Sequence, residues 1–288
     1  MSRDILAMIQ NGMSGFSKGQ KLIANFILNY YDKAAFMTAS KLGATVKVSE
    51  STVVRFAAEL GYDGYPSMQK ALQEMIRNKL TSIQRIEVSE GRMGGHDVLS
   101  SVMHSDMEQI RMTQEEIDRD SFKAAVDAIA GAKRIYVLGV RSSASLVSFM
   151  GFYFNLLFGN VTQVTSTAAS EMFEQILHAG EGDVVIGVSF PRYSLRTVEA
   201  MEYARSRGSE VSAITDSDAS PLAGIAHHTL VAKSDMASFV DSLVAPMSLI
   251  NALVVAVGRK DPERLSSTFA SLEQLWDEYG VYANMPKP

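Results

Sequence analysis

The sequence predicts an α/β domain, a parallel sheet flanked by helices, preceded by a smaller all-α helix-turn-helix domain. Residues 1 to 80 carry helical periodicities with no strand-like alternation, whereas from Arg134 onward short β-rich runs alternate with helical stretches. The chain of 288 residues is about twice the length of a typical single domain. Charge divides in the same place: residues 1–80 hold 10 Lys and Arg against 6 Asp and Glu, or +4, and residues 81–288 hold 17 against 26, or −9. A basic head on an acidic body fits a nucleic-acid-binding module joined to a sensing one.

In the first 80 residues, Ser17 caps a helix whose Leu22, Ile23, Phe26, Ile27 and Tyr30 recur at three- and four-residue spacing. Thr38 caps a short second helix through Ala39, Leu42 and Gly43. Ser49 caps a third that ends at Gly61, and a turn at 46–48 separates the two. Two short helices about a tight turn form a helix-turn-helix. On the third helix Val53, Phe56, Ala57 and Leu60 share one side, and Ser51, Thr52 and Arg55 look away from it. Hydroxyls and one arginine there suit phosphates and base edges, although an ordinary solvated helix carries the same residue types. Lys47 occupies the turn where glycine would relieve a positive φ; it reads as an exposed turn residue that also offers a cation to a phosphate backbone. Gly61 and Gly64 turn the chain into a helix carrying Met68, Leu72, Met75 and Ile76 inward.

The run VSESTVVRFAAELGYDGYPSMQKAL, Val48 to Leu72, resembles the N-terminal domain of the RpiR family of bacterial regulators. Ser49, the stretch Ser51 to Phe56, Leu60-Gly61 and Gly64-Tyr65-Pro66 stand in that family's order and spacing. The resemblance implies DNA binding through Ser49, Ser51, Thr52 and Arg55, with Lys47 as a further cation near the phosphates.

Periodicity fades between Lys79 and Asp97, where Gly91, Gly94 and Gly95 mark a hinge. The expected organisation is a DNA-binding domain at 1–80, a linker and connecting helix at 81–120, and a sheet domain with a C-terminal helix at 121–288. Helices are expected near 98–117 and 122–129. Strands follow at 134–138, 161–164, 183–188, 210–215 and 228–232, with helices near 143–158, 168–178, 194–207 and 239–257. The apolar run from Leu243 to Val257 is interrupted by Pro246, Ser248 and Asn251. It falls short of the roughly 20 residues that span a bilayer, so it reads as a buried core helix. A last helix, Pro262 to Tyr279, sets Leu265, Phe269, Leu272 and Trp276 at helical spacing as a cover for the core.

Ligands of open α/β sheets sit beyond the carboxyl ends of the strands. Two loops there run into helix N-termini with hydroxyls and an arginine: Gly139-Val140-Arg141-Ser142-Ser143 and Ser189-Phe190-Pro191-Arg192-Tyr193-Ser194. Free N–H groups and the helix dipole favour an anion at such places, phosphate included; simple helix capping is the plainer use of the same hydroxyls. The stretches IYVLGVRSSA and GDVVIGVSFPRYSLRTVEAMEYARSRGSEVSAITDSDASPLA are similar to the sugar isomerase (SIS) domain, the phosphosugar-binding part of the RpiR family, over residues 121–260. That resemblance implies ligand binding by Ser142, Ser143, Ser189 and Ser194, with Glu171 in the family's helix after the second strand; Arg141 and Arg192 are read beside them as additional cations for an anionic ligand. The family's loop reads S-x-S-G-x-T. Ser189 matches it and Ser194 is a conservative hydroxyl, while Pro191 replaces the second serine and Arg192 the glycine. Glu171 reads either as an exposed helix glutamate or as a partner of a sugar hydroxyl.

Absence of cysteine excludes a disulfide framework, a thiolate zinc site, a thiol nucleophile and an iron–sulfur cluster, and points to a reducing cytoplasm. The start MSRDILAMIQ has no signal-peptide pattern. No G-x-G-x-x-G or Walker loop supports nucleotide binding, and no metal or cofactor is expected. His96, His104, His178 and the pair His227-His228 have no metal-ligand spacing. The expected protein is a cytoplasmic transcriptional regulator, not an enzyme. As a homodimer or homotetramer it would bind a palindromic duplex operator and sense a phosphorylated sugar. The rival readings are a phosphosugar isomerase or lyase using Glu171 or the His227-His228 pair, and a SIS-like module that regulates another protein.

Overall fold

The computed structural model describes residues 5–77, 81, 83–86, 97–235 and 239–282. The hinge expected between Lys79 and Asp97, with its three glycines, lies almost wholly outside the described residues, as does His96. The chain forms two compact units, one from Met1 to His104 with Met236–Asp241, the other from Ser105 to Asp235 with Ser242–Pro288.

The first unit is built around α1 (Ile5–Gly12), α2 (Lys18–Asn29), the single turn α3 (Tyr31–Ala34), α4 (Ala39–Val46), α5 (Glu50–Glu59) and α6 (Gly64–Arg77). Ser17, Thr38 and Ser49 are the N-caps of α2, α4 and α5, and Gln20 completes a capping box with Ser17. α1 is too short to announce itself by a long periodicity. Eight residues are too few for a stable isolated helix, and this one exists because Ile5 and Ile9 are fully buried in a core shared with Ile23, Ile27, Phe56 and Ile76. Phe16 meets Phe56 edge-on at 5.1 Å. α6 ties down the chain ahead of α4: the Tyr65 hydroxyl and Gln69 Nε2 donate to the Met37 carbonyl at 2.7 and 2.8 Å, and Gln73 Nε2 donates to Ala35. Burial pushes the Tyr65 phenol up to about 12, so it remains a donor.

α7 (Val98–Glu116) begins in the first unit and ends in the second, where α8 (Arg119–Ala130) leads into β1 (Ile135–Leu138), α9 (Ser143–Leu157), β2 (Val161–Val164) and α10 (Ala169–Ile176). Then come β3 (Val184–Val188), α11 (Leu195–Ser206), β4 (Glu210–Thr215), β5 (His228–Val231), α12 (Val244–Gly258) and α13 (Pro262–Tyr279). The five strands are all parallel, in the order β2-β1-β3-β4-β5. β1 and β3 are buried at every position, as strands covered on both faces must be. Alternation within β1 sends Ile135 and Val137 to a core with α8, α9 and α12, and Tyr136 and Leu138 to a second core with α10 and α11.

Two helices depart from expectation. α12 starts at Val244, not 239, because a start at 239 would place Pro246 in the helix interior, where its missing N–H breaks the ladder; in the first turn that N–H is not needed. As expected, α12 is a buried core helix, with Ala245, Leu249, Ile250, Leu253 and Val257 inside. α13 spans the expected residues but is a poor cover: none of its residues is buried, and Leu265 alone joins the core.

Phe154 is fully buried on α9, so Phe154→Ala is expected to destabilise the second unit by about 3–5 kcal/mol in denaturant unfolding. In the first unit, a Cβ on Gly43 would lie 2.9 Å from the Val48 carbonyl oxygen. Gly43→Ala should therefore cost about 1–3 kcal/mol by forcing α4 from the start of α5. An unchanged unfolding midpoint would show that the two helices do not need this close approach.

Candidate functional site

The helix-turn-helix is α4, the turn 47–49 and α5. Gly43 lets α4 touch the backbone of Val48 and Ser49, which sets how tightly the turn closes. Lys47 closes α4 in the left-handed region, at φ 58° and ψ 46°, with its side chain exposed. This is the positive φ that the turn's position predicts, held here by a residue with a Cβ. Ser49 Oγ accepts the Thr52 N–H and lies 2.9 and 2.8 Å from the hydroxyls of Ser51 and Thr52, so three hydroxyls share one corner at the start of α5. Ser51 and Arg55 are exposed on one face, and Arg55 Nε donates to the Ser51 carbonyl at 3.3 Å.

Thr52 does not look away from the core as the sequence predicts. At about 100° per residue it falls on the flank of the Val53–Phe56–Ala57 face, half-buried. Its methyl would meet a Cβ on Gly19 of α2 at 3.3 Å. The outer face is thus led by Ser51 and Arg55.

The second constellation follows from strand order. β1 connects to β2 on one side of itself while β3 lies on the other, so the order reverses between β1 and β3 and opens a crevice at their carboxyl ends. The loops 139–143 and 189–194 leave those two neighbouring strands. At Gly139 a Cβ would meet the Val188 carbonyl oxygen at 3.0 Å and Ser143 Cβ at 3.3 Å, so the first loop runs against the end of β3. Arg141 holds φ 57° and is exposed, as is Ser142, whose side chain makes no capping bond. Ser143 is buried beneath the loop.

In the second loop Ser189 is buried, and its Oγ accepts the Ser194 N–H at 3.0 Å; Ser194 Oγ in turn accepts the Thr197 N–H at 3.2 Å. Both hydroxyls spend a lone pair on the backbone and keep an O–H to donate. Pro191 is buried and Arg192 exposed. Among the described residues neither Arg141 nor Arg192 has a carboxylate partner.

Glu171 stands exposed on α10, after β2, and accepts the Ser166 hydroxyl at 2.5 Å. The His227-His228 pair is remote from these loops. His228 Nε2 lies 3.0 Å from Glu210 and His227 Nδ1 accepts the Val211 N–H, both at the amino edge of the sheet, a strand length of about 17 Å from the carboxyl edge. The pair cannot act as acid or base at the crevice. Sequence reasoning missed three residues at the carboxyl edge: Ser166, and the Tyr193–Asp216 hydrogen bond of 2.7 Å that ties the second loop to the end of β4. Asp216 follows β4 directly, which was the available signal. Thr197 and Thr215 also keep buried hydroxyls without a partner among the described residues. Among those residues no group of three or more His, Asp or Glu gathers to hold a metal ion, and no helix is long and apolar enough to cross a membrane.

Comparison with known proteins agrees with both halves. Residues 3–79 match the helix-turn-helix domain of the rpiR family, and residues 128–256 match the SIS domain. The HTH-type transcriptional regulator HexR of Escherichia coli (strain K12) is 26% identical over 221 residues, covering 76% of this chain and 74% of that protein. The sugar isomerase domain of an RpiR transcription factor from Sphaerobacter thermophilus is 31% identical, with a TM-score of 0.58, covering 61% of this chain and 97% of that one. The NanR protein of Vibrio vulnificus, solved in complex with ManNAc-6P, shares the fold at 22% identity and a TM-score of 0.58, over 98% of this chain and 100% of that one. The relatives are named as regulators, in keeping with a regulator and not an isomerase. This chain belongs to the RpiR family of DNA-binding transcriptional regulators, in which a helix-turn-helix domain precedes a SIS domain.

Proposed function

We propose that this cytoplasmic regulator binds a palindromic operator as a homodimer or a pair of dimers, and that a phosphorylated sugar in its SIS domain alters that binding. In this reading residues 1–80 touch DNA, 81–120 connect, and 121–288 sense. The observation that supports it is the adjacency of β1 and β3, so that the loop with Arg141 and Ser142 and the loop with Ser189, Arg192 and Ser194 leave neighbouring strands; among the described residues neither arginine has a carboxylate partner. The N–H groups of Leu195 and Arg196, in the first turn of α11, add further donors for an anion. Ser143 supports the loop from beneath, and Glu171 with Ser166 offers a polar partner to sugar hydroxyls. Arg192 in place of the family's loop glycine trades backbone approach for a cation, which favours a ligand with more negative charge or a different shape from a common hexose phosphate. NanR's complex with ManNAc-6P supports a sugar phosphate as the class. A ligand that prefers one arrangement of the two DNA-binding heads shifts operator affinity, because half-sites lie about one helical turn apart.

On the DNA side, Ser51 and Arg55 read the groove, the Ser49 and Thr52 hydroxyls shape the helix start, and Lys47 faces the phosphates. Fluorescence anisotropy on duplex from upstream of the protein's own gene, across a salt series and with a panel of sugar phosphates, tests both halves. Arg55→Ala is expected to weaken operator binding by roughly 1–3 kcal/mol, and unchanged affinity would remove its assigned role. Lys47→Gly separates two contributions: thermal unfolding should show a gain of about 1 kcal/mol from relief of the left-handed conformation. Its salt slope for DNA should fall by about 1 if the cation meets a phosphate. In the SIS domain, Arg192→Ala should weaken the active sugar phosphate by about 1.5–3 kcal/mol, the loss of one charged hydrogen bond. Equal binding by the variant would place the anion elsewhere.

A further inference from the structure

α13 is 18 residues long, about 27 Å; its first turn joins the core, while Phe269, Leu272 and Trp276 further along are half-buried. Leu265 packs on the core and Arg264 lies over the Phe158 ring at 5.4 Å. Beyond that turn Leu272, Leu275, Trp276 and Tyr279 continue an apolar stripe in which 265, 272 and 279 repeat every seven residues, as in a helix that packs along another helix. Leu275 is 47% and Tyr279 74% exposed. Charge on the helix is uneven. Asp261 caps its start and Glu263 stands in the first turn, as the dipole favours, while Glu273, Asp277 and Glu278 crowd its C-terminal half, with no carboxylate among these three paired within the described residues. That C-terminal grouping opposes the helix macrodipole, so cations from elsewhere would favour it.

A groove of about 550 Å³ opens beside the N-terminal end of this helix, floored by Phe122, Val126, Ala252 and Val255 of α8 and α12. Lys123, Arg259 and Lys260 rim it, and Val255 is 55% exposed on its floor. An apolar floor with a cationic rim fits an apolar helix face flanked by acids.

We propose that α13 pairs antiparallel with α13 of a second copy of this chain, the acidic C-terminal half of each helix covering the apolar, lysine- and arginine-rimmed groove of the other. Antiparallel pairing brings the C-terminal half of one helix to the N-terminal end of its partner, and the groove lies at that end, since Arg259 and Lys260 precede Pro262 directly. The surface is self-complementary, as a two-fold interface requires, and the acidic C-terminal half of each helix meets the cations that rim the other copy's groove. Lys260 already pairs with Asp127, so Lys123 and Arg259 are the cations left to meet the incoming carboxylates.

The pairing rests on the proposal that the regulator is at least dimeric, and sedimentation equilibrium of the full-length protein tests it. Joint reversal of Glu273→Lys, Asp277→Lys and Glu278→Lys should raise the dimer Kd at least tenfold, as should Lys123→Glu with Arg259→Glu. Combining the two sets should return the Kd to within about threefold of the original. A dimer indifferent to either reversal, or a combination that fails to rescue, would overturn this pairing while leaving a dimeric regulator standing. A parent protein that stays monomeric at all concentrations would overturn both.

Discussion

Parallel pairing of β1 with β3 is the constraint on which the SIS domain of this protein depends. In a parallel sheet all strands end at one edge, so every loop that follows a strand is delivered to the same side of the molecule. Which loops become neighbours is then a matter of strand order. Because β2 takes one flank of β1 and β3 the other, the two loops with unpaired arginines arise from adjacent strands. Gly139 completes the arrangement, since any side chain there would strike the Val188 carbonyl and hold the two strand ends apart.

The two edges of the sheet carry different titratable groups. His227 and His228 face Glu210 at the amino edge, while at the carboxyl edge Glu171 accepts a hydrogen bond from Ser166 and Asp216 one from Tyr193. Ser189 and Ser194 are fixed by accepting backbone N–H groups, which orients their remaining protons without committing them.

In the DNA-binding half the corresponding constraint is steric. Gly43 permits contact between α4 and the first residues of α5, and Lys47 takes the left-handed conformation that reverses the chain between them. α6 holds the approach to α4 through Tyr65, Gln69 and Gln73, which leaves the exposed face of α5 presented by a rigid support. The hydroxyl corner at Ser49, Ser51 and Thr52 is therefore structural as well as available: it caps the helix whose outer face carries Arg55.

Much of this was legible in the sequence because it is local. Caps at Ser17, Thr38 and Ser49, the burial of α12, the five strands and the two loop compositions are all written in short-range pattern, where a few residues decide the outcome. What only the tertiary structure decided are the matters of distance. α1 forms because α2 and α6 bury Ile5 and Ile9, and Thr52 turns to the flank because Gly19 leaves room for it. Tyr193 reaches Asp216 across 23 positions. Periodicity set Leu265, Phe269, Leu272 and Trp276 on one face of α13, yet it could not say whether the chain itself would supply a surface beneath them. A one-dimensional pattern records that a face is apolar, while the identity of what covers it depends on where the rest of the molecule ends.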